Sequence, residues 1–122
     1  MILVDTSVWI DYLRLGDAVL AQQLQQNQVL MHPMVLGELA LGNLKDRQLL
    51  LRLWQALPSM SIATDAQVLA AIEAQNFMGT GIGWIDAHLL TAVLFASDVQ
   101  LWTRDKRLRN LAETLNLAAP LP

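Results

Sequence analysis

Short apolar runs and longer amphipathic stretches alternate along the chain. Three runs, at positions 1–4, 29–31 and 99–102, are rich in apolar residues and end abruptly, which is typical of buried strands. Between and after them, apolar residues recur at helical spacing. Parallel strands need crossover connections and leave no face to water. The order strand, helices, strand, helices, strand, helix therefore predicts an α/β fold with a central parallel sheet flanked by helices.

Capping and breaking residues mark the predicted helices. Thr6 and Ser7 are candidate N-caps of a first helix, in which Trp9, Ile10 and Leu13 keep helical spacing. Pro33 suits the first position of another helix, since its missing N–H is not needed there. The predicted helices run over about 6–15, from 17, from 33, and over 46–57, 65–77, 84–96 and 106–115. Three glycines between 79 and 83 predict a flexible loop.

Composition narrows the class of protein. The chain has 122 residues, which suits a single domain over 1–122, and no linker, repeat or low-complexity tract divides it. Apolar residues make up 54% and charged residues 16%, which excludes extensive disorder. No stretch predicts a membrane span or a signal peptide, and the absence of Cys excludes disulfides and thiolate metal sites, so we expect a cytoplasmic protein.

Four acidic residues are predicted to meet at the carboxyl edge of the sheet. Asp5 directly follows the first strand and Asp105 the last. Asp86 lies in the first turn of the helix that leads back to the last strand, and Glu38 lies in the second turn of the helix after the second strand. We call Asp5, Glu38, Asp86 and Asp105 the acidic quartet. Neighbouring carboxylates cannot all stay ionised without a counterion, which predicts a bound cation.

The donor set of the quartet indicates which cation. Carboxylate oxygens and water suit Mg²⁺ or Mn²⁺, whereas a zinc site of Cys and His has no residues to build it. Such a site is suited to phosphodiester hydrolysis, in which the metal activates water and stabilises charge on the phosphate.

Each acid also has a structural interpretation. Asp5 and Asp105 can serve only as helix caps, Asp86 can interact with the helix dipole, and Glu38 can lie on a solvated face. Against this, Asp86 and Glu38 interrupt strongly apolar sequence, where an unpaired buried carboxylate costs several kcal/mol.

Basic and hydroxyl residues surround the quartet in sequence. Arg104, Lys106, Arg107 and Arg109 cluster around Asp105 although the net charge is −3, and they can hold phosphates or form an ordinary charged helix face. Thr6, Ser7 and Thr103 can orient the acids by hydrogen bonds or simply cap helices. His88 is expected to be a packed residue, since it lies about 200° around its helix from Asp86. His32 is expected to be structural because it directly precedes Pro33 at the start of a helix.

Four segments together carry a resemblance to a known family. They are 5–11 (DTSVWID), 37–39 (GEL), 83–90 (GWIDAHLL) and 101–108 (LWTRDKRL). In this order and spacing, the chain resembles PIN domains, and among them the VapC toxins of bacterial toxin-antitoxin pairs. The likeness covers almost all of the chain, with Trp102 at a strand position that is often a smaller residue.

The resemblance implies a Mg²⁺- or Mn²⁺-dependent endoribonuclease whose acidic quartet is Asp5, Glu38, Asp86 and Asp105. It also implies an RNA substrate, inhibition of translation, a homodimer, and a cognate antitoxin through which the complex binds DNA.

Other functions on a similar sheet fit less well. A response-regulator receiver needs an adjacent acidic pair after the first strand, where this chain has Asp5-Thr6, and an aspartyl-phosphatase needs a second Asp where Ser7 stands. The remaining alternative is a non-catalytic PIN-like scaffold that binds RNA or protein.

Overall fold

The computed structural model describes residues 1–122, and it has the predicted order of three strands and seven helices. The predicted boundaries are met to within about two residues. The elements are β1 (Ile2–Val4), α1 (Thr6–Leu15), α2 (Ala18–Gln25), β2 (Val29–Leu30), α3 (Pro33–Ala40), α4 (Arg47–Ala56), α5 (Asp65–Gln75), α6 (Trp84–Phe95), β3 (Gln100–Trp102) and α7 (Lys106–Thr114).

The sheet is parallel with strand order β2-β1-β3, as the α/β prediction requires. Leu3 is paired with Leu30 on one side and with Leu101 on the other, so β1 is the central strand. Single bridges, Met31 with Ser59 and Leu101 with Ala118, extend the sheet at its two edges. Asp5 therefore follows the central strand of the sheet at its carboxyl edge.

A cluster of 23 buried residues, drawn from positions 3 to 119, forms the hydrophobic core. Helix α6 is buried over seven consecutive residues, from Ala87 to Val93, which covers its whole circumference. Helix α6 is therefore a central element of the fold, and Asp86 lies at the start of a helix that has little access to water.

Helix α1 corrects two details of the predicted pattern. Neither Thr6 nor Ser7 is the N-cap, because the helix begins at Thr6 and Asp5 occupies the N-cap position. Val8 and Trp9 form the buried face, whereas Ile10 is 42% exposed. At 100° per residue, Ile10 lies about 150° from the line midway between Val8 and Trp9, so helical geometry directs it away from the core.

The start of α3 agrees with the prediction from Pro33. His32 is the N-cap residue, and its Nδ1 accepts a hydrogen bond of 3.0 Å from the backbone N–H of Met34. His32 is completely buried, so it has the structural role expected of it. This cap fixes the start of the helix that carries Glu38.

None of the helices has the length and apolar character needed to cross a bilayer.

Candidate active site

The elements of the fold place the acidic quartet at or near one edge of the sheet. Asp5 and Asp105 are the N-cap residues of α1 and α7, directly after β1 and near the end of β3. Asp86 lies in the first turn of α6, and Glu38 lies within α3. Burial raises the pKa of Asp86, and the negative charges of Asp5, Asp105 and Glu38 raise it further. Asp86 therefore lies within electrostatic reach of the other three carboxylates.

The structure gives Asp5 a role other than capping. Its side chain accepts no hydrogen bond from the backbone N–H groups of α1, and the residue is only 5% exposed. Its Oδ2 accepts hydrogen bonds from Ser7 Oγ (2.8 Å) and from Thr103 Oγ1 (2.7 Å). The interpretation of Asp5 as a helix cap alone is therefore wrong. Two hydroxyl donors orient this carboxylate and leave Oδ1 without a hydrogen bond.

Glu38 and Asp86 are each held by one donor. Thr6 Oγ1 donates to Glu38 Oε1 at 2.8 Å, which links α1 to α3. The backbone N–H of Gly83 donates to Asp86 Oδ2 at 3.1 Å, within the first turn of α6. No hydrogen bond reaches Glu38 Oε2 or Asp86 Oδ1, so both carboxylates have one fixed oxygen and one oxygen free to bind a ligand.

Asp105 does cap its helix, as the structural interpretation predicted. Its Oδ1 accepts hydrogen bonds from the backbone N–H groups of Arg107 (3.0 Å) and Leu108 (3.1 Å). Its own backbone N–H donates to Thr103 Oγ1 at 3.1 Å. Asp105 Oδ2 accepts no hydrogen bond, and the residue is exposed. The cap fixes the orientation of the carboxylate without occupying both of its oxygens.

No basic side chain of the protein pairs with the quartet. The ion pairs join Arg104 to Asp11 and Asp17, Arg109 to Glu113, and His88 to Asp65. A set of carboxylates without an internal cation, each with an unbonded oxygen, has the donor chemistry that Mg²⁺ and Mn²⁺ prefer. No three acidic or histidine side chains already stand at the spacing of a metal site. A cation bound here would have to draw the carboxylates together against their mutual repulsion.

The basic residues predicted around Asp105 differ in their environment. The Arg104 guanidinium donates to Asp11, to Asp17 and to the carbonyl of Pro122, so it is engaged within the protein. Its guanidinium nitrogens are therefore not free to bind phosphates, contrary to the prediction for Arg104. Lys106 and Arg107 are exposed. Arg107 packs against Gly81, whose φ of +88° lies in the left-handed region that favours glycine.

The buried histidines lie outside the quartet. His88 is 3% exposed and packs edge-on against Trp84, with ring centroids 4.7 Å apart. Its Nε2 lies 3.1 Å from Asp65 Oδ1, which joins α6 to α5. Burial lowers the pKa of His32 to about 4, and the nearby His88 contributes to this shift. His32 and His88 are thus packed residues of the core, as the sequence predicted.

One feature of the site could not be read from the sequence. Arg104, a candidate phosphate ligand from its place beside Asp105, instead pairs with Asp11 and Asp17. Their ion pairs span 93 and 87 residues, and no local pattern reports contacts over such separations.

Comparison with known proteins gives two matches. The PIN domain family model matches residues 2–114. Ribonuclease VapC32 from two strains of Mycobacterium tuberculosis, CDC 1551 / Oshkosh and H37Rv, is 44% identical over 109 residues, covering 89% of this chain and 88% of the relative.

Proposed function

The chain belongs to the PIN domain family and to its VapC ribonucleases, and from this premise we propose that Asp5, Glu38, Asp86 and Asp105 hold Mg²⁺ or Mn²⁺ for the hydrolysis of RNA. One observation carries this assignment: of four carboxylates from four elements, three act electrostatically on Asp86, none pairs with a basic side chain, and each keeps an oxygen free of hydrogen bonds. Such a set of oxygen donors suits a hard divalent cation.

The cation and the protein would contribute differently to the hydrolysis of RNA. A divalent cation in this position supplies positive charge to the scissile phosphate and favours deprotonation of the attacking water. The protein contributes orientation, because fixed ligands reduce the reorganisation that the reaction requires. Ser7 and Thr103 fix Asp5, Thr6 fixes Glu38, and the start of α7 fixes Asp105.

Lys106 and Arg107 are proposed to bind phosphates of the RNA. Both side chains are exposed, and both belong to the first turn of α7, next to Asp105. Neither forms an ion pair within the protein, so their charges remain available to a polyanion.

The biological role that we propose is that of a cytoplasmic toxin that inhibits translation by cutting RNA. A cognate antitoxin would neutralise it and link the complex to DNA, and the toxin would form a homodimer. An apolar cavity of about 240 Å³ between α1, α2 and α4 supports a protein partner; its lining is Trp9, Tyr12, Leu24, Leu50, Leu53, Trp54 and Leu57. The single core cluster supports one domain over residues 1–122.

Cleavage of total cellular RNA tests the proposed activity. The wild-type protein, assayed with Mn²⁺ and with EDTA, is compared with Asp5→Asn and with Asp98→Asn, all purified identically. Asp98 is exposed near the amino end of β3, and its positive φ of 56° is tolerated by Asn. We expect discrete fragments from the wild type and Asp98→Asn with Mn²⁺ only, and none from Asp5→Asn. Fragments that persist in EDTA or with Asp5→Asn would contradict the assignment of the site.

Failure of the wild type to cleave any RNA would favour a non-catalytic scaffold, which needs no high-occupancy metal site. A Mn²⁺ titration separates this case from that of a highly selective nuclease, since only the nuclease would bind Mn²⁺ through the quartet.

A further inference from the structure

We propose that Arg104 is a positioning residue, which clamps residues 103–105 against α1 and α2 and thereby sets Asp5 and Asp105 relative to each other. The inference concerns the metal site of the proposed function and rests on it. The contacts that carry it are made by both the side chain and the backbone of Arg104.

The side chain of Arg104 connects four parts of the fold. Nη1 donates to Asp11 Oδ2 in α1 at 2.8 Å, and Nη2 donates to Asp17 Oδ2, at the N-cap of α2, at 2.5 Å. Nε donates to the backbone carbonyl of Pro122 at 3.1 Å. The guanidinium carbon lies 5.4 Å from the centroid of the Trp102 ring, in β3. All three guanidinium nitrogens therefore have a partner, in a fork geometry that lysine cannot reproduce.

The backbone of Arg104 connects to Asp5 through Ser7. Its N–H donates to Ser7 Oγ at 3.0 Å, and that hydroxyl donates to Asp5 Oδ2. The preceding residue, Thr103, donates to Asp5 Oδ2 and accepts from the N–H of Asp105. One short segment thus connects the two acids, and Arg104 is its only link to Asp11 and Asp17.

The Arg104–Asp17 ion pair is largely sheltered from water, whereas the Asp11 side chain is 45% exposed. The side chains of Arg104 and Asp17 are 24% and 13% exposed. Hydrogen bonding to Arg104 lowers the pKa of Asp17, and hydrogen bonds to Asp17 and Asp11 raise the pKa of Arg104. Networks of this kind contribute more than isolated surface pairs. By contrast, the Arg109–Glu113 pair is more exposed, lies within α7, and its side chains make no hydrogen bond to a quartet carboxylate.

A clamp and a phosphate ligand respond differently to the loss of Asp17. A phosphate ligand acts through the Arg104 charge alone, so removal of Asp17 would leave that charge in place and more available to RNA. A clamp needs both partners, so loss of either one loosens the segment that carries Asp105. Asp17→Asn isolates this difference, because Asn retains an oxygen that can cap Leu20, as Asp17 Oδ1 does.

The test compares Arg104→Gln and Asp17→Asn with the control Glu113→Gln, which breaks only the exposed pair. Hydrogen exchange of the Arg104 and Asp105 amides is measured by NMR, and Mn²⁺ affinity by titration calorimetry. We expect both clamp variants to speed exchange of these two amides at least tenfold and to weaken Mn²⁺ binding severalfold, with no change in the control. Arg104→Lys should restore these properties only in part.

The two proposals fail in different ways. If the wild type neither binds Mn²⁺ nor cuts RNA, the proposed function fails, while amide exchange still tests the clamp. Unchanged exchange in Asp17→Asn would overturn the clamp even if the protein is an active nuclease. A raised KM for RNA in Arg104→Gln, with normal exchange and Mn²⁺ affinity, would instead assign Arg104 to phosphate binding.

Discussion

Protonation of His32 is predicted to destabilise the protein in mild acid. Nδ1 accepts the N–H of Met34, so the neutral ring carries its proton on Nε2, and that buried atom has no hydrogen-bond partner. A second proton would have to be placed on Nδ1, where it would break the cap of α3. Burial and the neighbouring His88 lower the pKa to about 4, from an ordinary value of 6.5.

The sign and size of the effect follow from this difference. Between pH 6.5 and about 4 the unfolded chain binds a proton at His32 that the folded chain does not, so stability falls as the pH falls. At pH 5, which is 1.5 units below 6.5, the loss from this residue is about 2 kcal/mol at about 1.4 kcal/mol per unit. Stability above pH 6.5 is unaffected by this group.

Urea unfolding at pH 7.5 and pH 5 measures the effect in wild type and in His32→Asn. Asn cannot titrate, but it is a favourable N-cap residue and can accept the Met34 N–H. We expect the loss of unfolding free energy between the two pH values to be about 2 kcal/mol smaller in the variant, whatever its stability at pH 7.5. Equal losses in the two proteins would refute the reasoning, because all other titrating groups are common to both.

Three further changes test the electrostatics and packing of the site. Because the pKa of Asp86 is raised, its charge opposes folding at pH values above its ordinary pKa of 3.8. Asp86→Asn should therefore raise the melting temperature of the metal-free protein and abolish its stabilisation by Mn²⁺. An equal stabilisation of wild type and variant by Mn²⁺ would contradict this. Gly81→Ala places a Cβ at φ +88° against Arg107 and should lower the free energy of unfolding in urea by about 1–2 kcal/mol. An unchanged free energy of unfolding would contradict this prediction. Thr103→Val removes a buried donor to Asp5, and it should lower the free energy of unfolding by about 1–3 kcal/mol and weaken Mn²⁺ binding. A normal Mn²⁺ affinity in calorimetry would contradict the proposed role of Thr103 in orienting Asp5.

Local patterns in the sequence were sufficient for most of the fold. Pro33 marks the start of α3, and the charge-poor run around Leu89 predicts the buried helix α6, because these signals act within a few residues of one another. The parallel sheet followed from the order of strands and helices. The position of each acid relative to its strand or helix was therefore predictable without tertiary contacts.

The contacts around the acids were less predictable. Ser and Thr beside an acid suggest capping and ligand orientation equally, and only the structure shows that Ser7 and Thr103 donate to Asp5. The role of Arg104 depends on Asp11 and Asp17, which are distant in sequence and carry no local signal. Charge clusters in a sequence thus indicate possible ligands, whereas the pairing of each charge is set by tertiary packing.

Calorimetric titration of the wild-type protein with Mn²⁺, beside Asp86→Asn and Asp98→Asn, tests the central assignment most directly. We expect saturable binding to the wild type and to Asp98→Asn, and no binding to Asp86→Asn. Equal binding by all three proteins, or no binding by the wild type, would contradict a metal site built on the acidic quartet.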